Sequence, residues 1–378
     1  MNKLEYLLDI SDYFVAFVRV AVTGVPENIS LPKDFNWEAL YSLAERHKLT
    51  AAVWRGIQLT GFKVLPASLS EKWFVRTQQI LSKSIRFDHE ISRIQTLFDQ
   101  YGIDYIIIKG VTLQKYWPEK GLREFSDHDI LIREEQRESA RDIMLSLGYT
   151  NSHFGSVHDV YQKEPIYNVE IHVGLFESDF AYSDYFTHIW DRAVPVLDNS
   201  HQFQLTRIDF YLYFLFHFAK HAQCSGSGVR FYTDLFLLRK QLSFTPEEEE
   251  NVNRVLVQYG QFDQIQKIYA NLDYLFSHNG EMSSQTKELI FSGSTYGSHT
   301  HRIYNSMRAN GKWKYVFARL FPPRKVLINR FKILRPMPFL LPFVWIYRLI
   351  HHLFSDFHRR RIQTEIRDVR RFSDKEVK

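Results

Sequence analysis

Residues 104–132, DYIIIKGVTLQKYWPEKGLREFSDHDILI, decide how the chain is read. Positions 105–108 form an apolar run rich in β-branched side chains that closes on Lys109 and Gly110, too short for a typical helix, and they predict a buried strand. Residues 111–117 predict a short helix stopped by Pro118, and 124–132 a second strand. Strand residues two apart face the same side, so Asp127 and Asp129 are expected side by side while Ile130 and Ile132 face the core.

Outward from this stretch, residues 133–149 (REEQRESARDIMLSLGY) predict a charged amphipathic helix with Gly148 at its C-terminal cap, a cover for one sheet face. Residues 166–176 (IYNVEIHVGLF) predict a further strand, with Val169, Ile171 and Val173 alternating against Glu170 and His172. Strands and helices alternating in this way give an α+β class, a small mixed sheet flanked by helices. Residues 1–100 are expected to be a helical N-terminal region, with apolar periodicity over 4–18, 37–57 and 71–101 and a start signal at Pro66 and Ser68. Residues 101–200 form the sheet-bearing core, and 201–300 a helical C-terminal region. Within that region 208–222 is apolar on almost every side, 224–228 is a Ser/Gly loop, 229–242 is helical, and a helix started by Thr245 and Pro246 runs to about Leu275. Residues 301–378 form a basic, proline-interrupted amphipathic tail.

With 378 residues, 45% of them hydrophobic, the chain can bury a sizeable core. Its one cysteine, Cys224, excludes an intramolecular disulfide framework and fits a reducing compartment, so a cytoplasmic location is expected. Glu5, Asp9 and Asp12 interrupt what would be the apolar core of a signal peptide. The most apolar stretch, 336–347, stops at Arg348 after about a dozen residues, short of the roughly 20 that span a bilayer. The net charge of +5 is uneven, because residues 311–378 hold 17 Lys/Arg against 5 Asp/Glu and leave the rest acidic. Two readings of this tail stay open: helices that pack back on the body, or peripheral contact with the inner membrane surface through residues 319–361. Nucleic acid is not expected as a partner, since the body is acidic and carries no nucleic-acid motif. Residues 358–378 are expected to be exposed, or frayed at their end.

Two neighbouring carboxylates repel, so they must share a proton or hold a cation, and hard oxygen ligands favour Mg²⁺ or Mn²⁺. Such ions can orient a nucleoside triphosphate and activate an acceptor hydroxyl. Glu170 is the candidate third ligand and a candidate base. A solvated strand face is the competing reading of the pair. Lys109 and Gly110 sit where a strand gives way to a helix, a place suited to phosphate, and Arg123 is a second candidate phosphate contact. Neither a P-loop nor a dinucleotide-binding glycine motif occurs.

Segments 106–118 (IIIKGVTLQKYWP), 121–132 (GLREFSDHDILI) and 167–176 (YNVEIHVGLF) resemble the three successive motifs of an uncharacterised bacterial nucleotidyltransferase family, within the superfamily of kanamycin nucleotidyltransferase and DNA polymerase β. The resemblance covers most of the chain and is densest over 106–172. It implies a nucleotidyltransferase-type sheet and transfer of a nucleoside monophosphate from an NTP, such as ATP, with release of pyrophosphate. The acceptor, whether small molecule, polysaccharide or protein, is not supplied by it. Asp127 and Asp129 match the metal-binding pair and Glu170 the third carboxylate. The superfamily's Gly-Ser is replaced by Lys109, Gly110 and Val111, so the serine contact to phosphate is missing. His217, Lys220 and His221, followed by Arg230 and Asp234, resemble the same family's next two helices. The histidines, at i and i+4 on one helix face, are read as hydrogen-bonded structural residues, as phosphate or acceptor contacts, or as a zinc pair for which no third ligand stands out, and Asp234 as an ion-pair partner of Arg230 or Lys220. The alternative function is a non-catalytic nucleotide-binding protein or scaffold at the membrane surface or in envelope-polysaccharide assembly.

Overall fold

The computed structural model describes residues 3–61, 65–197, 200–224, 226–295, 303, 306–307, 311–327, 331–334 and 336–354. The chain divides into two compact units, Met1–Lys220 with Ser227–Thr295, and His221–Gly226 with Tyr296–Lys378.

The first unit opens with four helices, α1 (Lys3–Thr23), α2 (Trp37–Arg46), α3 (Thr50–Thr60) and α4 (Ala67–Gln100). The continuous helix predicted over 37–57 is two, because Lys48 takes a positive φ of 56° between them. α1 and α3 touch backbone to backbone at Gly56, where an added Cβ would lie 2.0 Å from the Phe17 carbonyl oxygen. Only glycine permits that approach. α4 starts on Pro66 without a side-chain cap, and Ser68 lies inside the helix.

Next come β1 (Tyr105–Ile107), α5 (Val111–Gln114), β2 (His128–Ile132), α6 (Arg137–Ser146), β3 (Thr150–Phe154), β4 (His158–Lys163) and β5 (Tyr167–His172). α7 (Ser183–Thr187), α8 (Ile189–Arg192), β6 (Val194–Pro195) and β7 (Gln202–Gln204) complete the core. The fold is α+β, as predicted, with a seven-stranded mixed sheet in the order β3-β4-β5-β2-β1-β7-β6. β1, β2 and β5 match the three predicted strands, although β2 begins only at His128 and leaves Asp127 on its threshold. The sequence reading missed β3, β4, β6 and β7. β4 is disguised because it turns Asp159 as well as Tyr161 inward, and the buried carboxylate is neutralised by Arg137 at 2.9 and 2.5 Å.

β2 lies between β1, antiparallel to it, and β5, parallel to it. Ile130 and Ile132 of β2 and Val169 and Ile171 of β5 share a core with Ile91, Ile94 and Phe98 of α4 and Ala140, Ile143 and Met144 of α6. Burying each large aliphatic is worth about 1.5–3 kcal/mol. Slipping β2 by one residue would exchange two isoleucines for Asp129 and Leu131, so the register is fixed. The opposite parity presents Asp129, Glu170 and His172 to the other face.

Five helices follow: α9 (Arg207–Cys224), α10 (Val229–Leu242), α11 (Pro246–Gln258), α12 (Phe262–Ser277) and α13 (Ser284–Ser292). α9 is buried along most of its length, as its all-round apolarity predicts. The predicted single helix from Pro246 to about Leu275 is broken at Gly260, whose φ is 65°. Thr245 and Glu248 close a reciprocal capping box at its start.

In the second unit, helices Lys312–Leu320 and Leu341–Phe354 accompany a small core of Leu327, Leu334 and Val344, and the Trp345 indole donates to the Pro322 carbonyl at 2.8 Å. Trp313, Phe317 and Leu320 on one helix, and Phe343, Ile346 and Tyr347 on the other, are exposed. Among the described residues no helix is long and apolar enough to cross a membrane. The expectation for residues 358–378 lies outside the described residues.

His47, at the break between α2 and α3, is fully buried against Phe14 and accepts the Val229 N–H on Nδ1 at 3.2 Å. Burial pushes its pKa down to about 3. The unfolded chain, with an ordinary histidine near 6.5, then binds the extra proton first as pH falls. Between about pH 6.5 and 4, His47 should therefore cost about 1.4 kcal/mol of stability per pH unit. Urea unfolding across this window should show a shallower decline by that amount in His47→Gln; an equal slope in both proteins would refute the assignment.

Candidate active site

The site is assembled where β1 and β5 flank β2. Asp129 sits directly opposite Glu170 in the parallel register, and His172 lies two residues further along the same face of β5. His172 Nε2 is 3.0 Å from Asp129 Oδ1 and 3.4 Å from Glu170 Oε2. From the end of β1, the Lys109 ammonium reaches the same Asp129 oxygen at 3.1 Å. Asp127 stands just ahead of β2, close enough to feel the charges of Asp129, Lys109 and Glu170.

The two aspartates titrate in opposite directions. Burial and the Asp129 charge push Asp127 up to about 6. Burial would raise Asp129 too, but Lys109 and the hydrogen bond from His172 outweigh it and hold its carboxyl well below the usual range. In return Asp129 holds the buried Lys109 charged, against the desolvation that opposes it. His172 is likewise raised despite its burial, by hydrogen bonds to Asp129 and Glu170. The tyrosine ring of Tyr213, from α9, lies 5.8 Å from the Lys109 ammonium and closes the site from the helical side.

Gly110 is fixed by this packing. Its φ is 65°, and a Cβ there would meet His128 Nδ1 at 2.7 Å and the Asp127 carbonyl oxygen at 3.2 Å. His128 itself points away from the carboxylates, between Phe87 and Phe125, and burial lowers its pKa to about 3. The helix that Gly110 opens, α5, is a single turn, so its dipole offers little to an anion.

A divalent cation fits these donors. Ligand atoms of Asp129, Glu170 and His172 all lie within 4.8 Å of one another. Asp127 beside them, raised first by burial and then by the Asp129 charge, would be favoured as a carboxylate by added positive charge.

The structure brings Asp129, Glu170 and Lys109 together and sets Asp127 and Gly110 beside them; among the described residues the ligand atoms that converge are those of Asp129, Glu170 and His172, without Asp127. It places Arg123 elsewhere. That guanidinium is buried, and its Nε and Nη2 grip the two Asp234 oxygens at 2.8 and 2.9 Å, while the Trp117 indole donates to the same carboxylate at 2.8 Å. Asp234 thus pairs with Arg123, where the sequence pointed to Arg230 or Lys220; Arg230 donates to the Glu124 carbonyl at 2.5 Å. His217 lies one helical turn beyond Tyr213, their rings 6.0 Å apart. Lys220 sits over the Phe180 ring at 5.1 Å, and His221 belongs to the second unit. Among the described residues, His217 and His221 are not part of any three-residue cluster able to hold a metal.

Sequence reasoning missed His172, Tyr213 and Lys83. His172 was signalled by its two-residue spacing from Glu170 on one strand face. Lys83 comes from α4, one turn before Phe87, and its partly buried ammonium lies in the field of Asp127. Nothing in the local sequence marks it, because only the packing of α4 on the sheet brings it near.

The chain belongs to an uncharacterised nucleotidyltransferase family, whose sequence profile matches residues 33–288. No curated protein and no solved structure matches it. The matched segment contains every side chain named around Asp129.

Removing one member of a buried ion pair typically costs about 3–5 kcal/mol. Asp234→Asn and Arg123→Met should each destabilise the chain on that scale in chemical unfolding. At temperatures where Arg123→Met remains folded, nucleotide affinity should match the parent, whereas a phosphate-binding role for Arg123 would lower it.

Proposed function

We propose that the chain transfers a nucleoside monophosphate from an NTP to an acceptor hydroxyl, phosphate or protein side chain, with a divalent cation held by Asp127, Asp129 and Glu170. The observation that carries this reading is the pairing of Asp129 with Glu170 across β2 and β5, with Lys109 on the same carboxylate, inside a segment that belongs to a nucleotidyltransferase family. Bound there, the cation supplies Lewis-acid polarisation of the phosphates.

The chain's own groups do the rest. In this reading Lys109, paired with Asp129, and Lys83, in the field of Asp127, hold the β- and γ-phosphates as point charges. Gly110 lets the turn after β1 pack closely on His128 and the Asp127 carbonyl, which keeps Lys109 beside the threshold of β2. The acceptor oxygen attacks the α-phosphorus, the bond to the bridging β-phosphate oxygen breaks, and pyrophosphate leaves. Glu170, whose side chain keeps 22% exposure against 2% for Asp129, takes the acceptor proton.

The tail extends the proposal. Trp313, Phe317 and Leu320 fall at i, i+4 and i+7, and Phe343, Ile346 and Tyr347 at i, i+3 and i+4, so each helix carries an exposed apolar stripe. Lys314 and Arg319 are exposed on the first helix, in a segment of strong positive charge. An anionic bilayer surface matches both properties, whereas a second copy would set like charge against like.

With α-labelled NTPs and Mg²⁺ or Mn²⁺, the full chain should transfer the label to a competent acceptor and release unlabelled pyrophosphate. Asp127→Asn combined with Asp129→Asn should lower this rate by at least about a hundredfold, and it should abolish metal-dependent NTP binding in calorimetry. Unchanged NTP and metal binding in that double variant would defeat the proposal. The full chain should also sediment with phosphatidylglycerol vesicles at low salt but not with phosphatidylcholine vesicles. Phe317→Glu with Phe343→Glu should release it, and equal binding by the variant would remove the apolar stripes from the account.

A further inference from the structure

Glu170 and His172 leave the same face of β5, and the imidazole Nε2 points between two carboxylate oxygens at 3.0 and 3.4 Å. A histidine in that position does one of two things. Protonated, it is a counter-ion to Asp129 and Glu170. Neutral, it offers a nitrogen lone pair to the same cation that the carboxylates bind.

The placement of Nε2 suits the second role once a cation is present. It lies on the same side as Asp129 Oδ1, which also receives the Lys109 ammonium at 3.1 Å, and as Glu170 Oε2, so an ion seated between the carboxylates would meet the nitrogen as well. The ring plane of His172 is held by its cross-strand partner. His158 faces it in the β4–β5 register, and the two rings stack at 5.0 Å with a 24° interplanar angle. Among the described residues the buried His172 Nδ1 atom has no hydrogen-bond partner, so stacking orients the ring and Nε2 is the atom that faces the carboxylates. Its ligand atom shares a 4.8 Å span with those of Asp129 and Glu170, tight enough for one ion to touch all three.

We propose that His172 is a direct ligand, so that this site selects a first-row transition-metal dication over Mg²⁺. Mg²⁺ prefers an all-oxygen octahedron and gives up water reluctantly, whereas imidazole adds affinity for the transition ions. The inference rests on the metal site of the proposed nucleotidyltransferase and assigns the kind of ion that site takes.

Mn²⁺ is the probe, titrated into the full chain and followed by electron paramagnetic resonance. Wild type should bind Mn²⁺ at least about tenfold more tightly than Mg²⁺, measured by competition, and pulsed spectra should show nitrogen-14 modulation from a coordinated imidazole. His172→Asn should lose the modulation and most of the preference. His172→Asp, which restores an all-carboxylate set, should bind both ions with similar affinity and show no nitrogen signal.

Mn²⁺ bound without nitrogen modulation in wild type would overturn the inference and leave the carboxylate site standing. Modulation that survives in His172→Asn would also overturn it, by moving the ligand to His158. Absence of any ion whose binding depends on Asp129 and Glu170 would bring down the proposed function as well. The wild-type spectrum decides the question even if a variant folds poorly.

Discussion

The parallel pairing of β2 with β5, with Asp129 set opposite Glu170, is the constraint on which the rest of the structure depends. One register serves both faces of the sheet. On one face it stacks Ile130, Ile132, Val169 and Ile171 against α4 and α6; on the other it forces two acidic side chains and a histidine into proximity. The aliphatic face holds the acidic face in place. Electrostatics alone would push those carboxylates apart, and the strands cannot yield without surrendering buried apolar surface.

The cost of that crowding is met from the two flanking strands. β1 delivers Lys109 and β5 delivers His172, both to the same oxygen of Asp129. Asp127, off the end of the strand, makes no such hydrogen bond among the described residues, and burial and the Asp129 charge push it the other way. Two carboxylates separated by one residue therefore differ in proton affinity because their neighbours differ. A pair of this kind keeps one permanently charged member and one that responds to incoming charge.

Much of this was legible in the sequence. The β-branched run at 105–108 and the alternation at Glu170 and His172 carry strand signals that no tertiary context overrides, and Asp127, Asp129, Glu170 and Lys109 follow from residue type and parity. β3 and β4 were not legible, because TNSHF is polar and β4 buries an aspartate whose neutralising arginine lies in another element. β6 and β7, two and three residues long, are too short to carry a period. Arg123 looked like a phosphate contact for want of one fact, the position of Asp234, which is 111 residues away in sequence. Lys83 and Tyr213 are near the site only through helix packing, and local pattern does not encode it.

The grip of Asp234 on both Arg123 and Trp117 has a consequence for how such a chain can diverge. These three residues lie on the β1–β2 connection and on α10, and each hydrogen-bond donor answers to the same carboxylate. Lysine cannot replace the two-pronged guanidinium, and phenylalanine cannot replace the indole N–H. Loss of Asp234 would leave the buried guanidinium and the indole N–H without their shared acceptor, and loss of Arg123 would leave the buried carboxylate without its counter-charge. The loop that leads into Asp127 is thereby anchored to a helix that supplies none of the three converging ligand atoms of Asp129, Glu170 and His172.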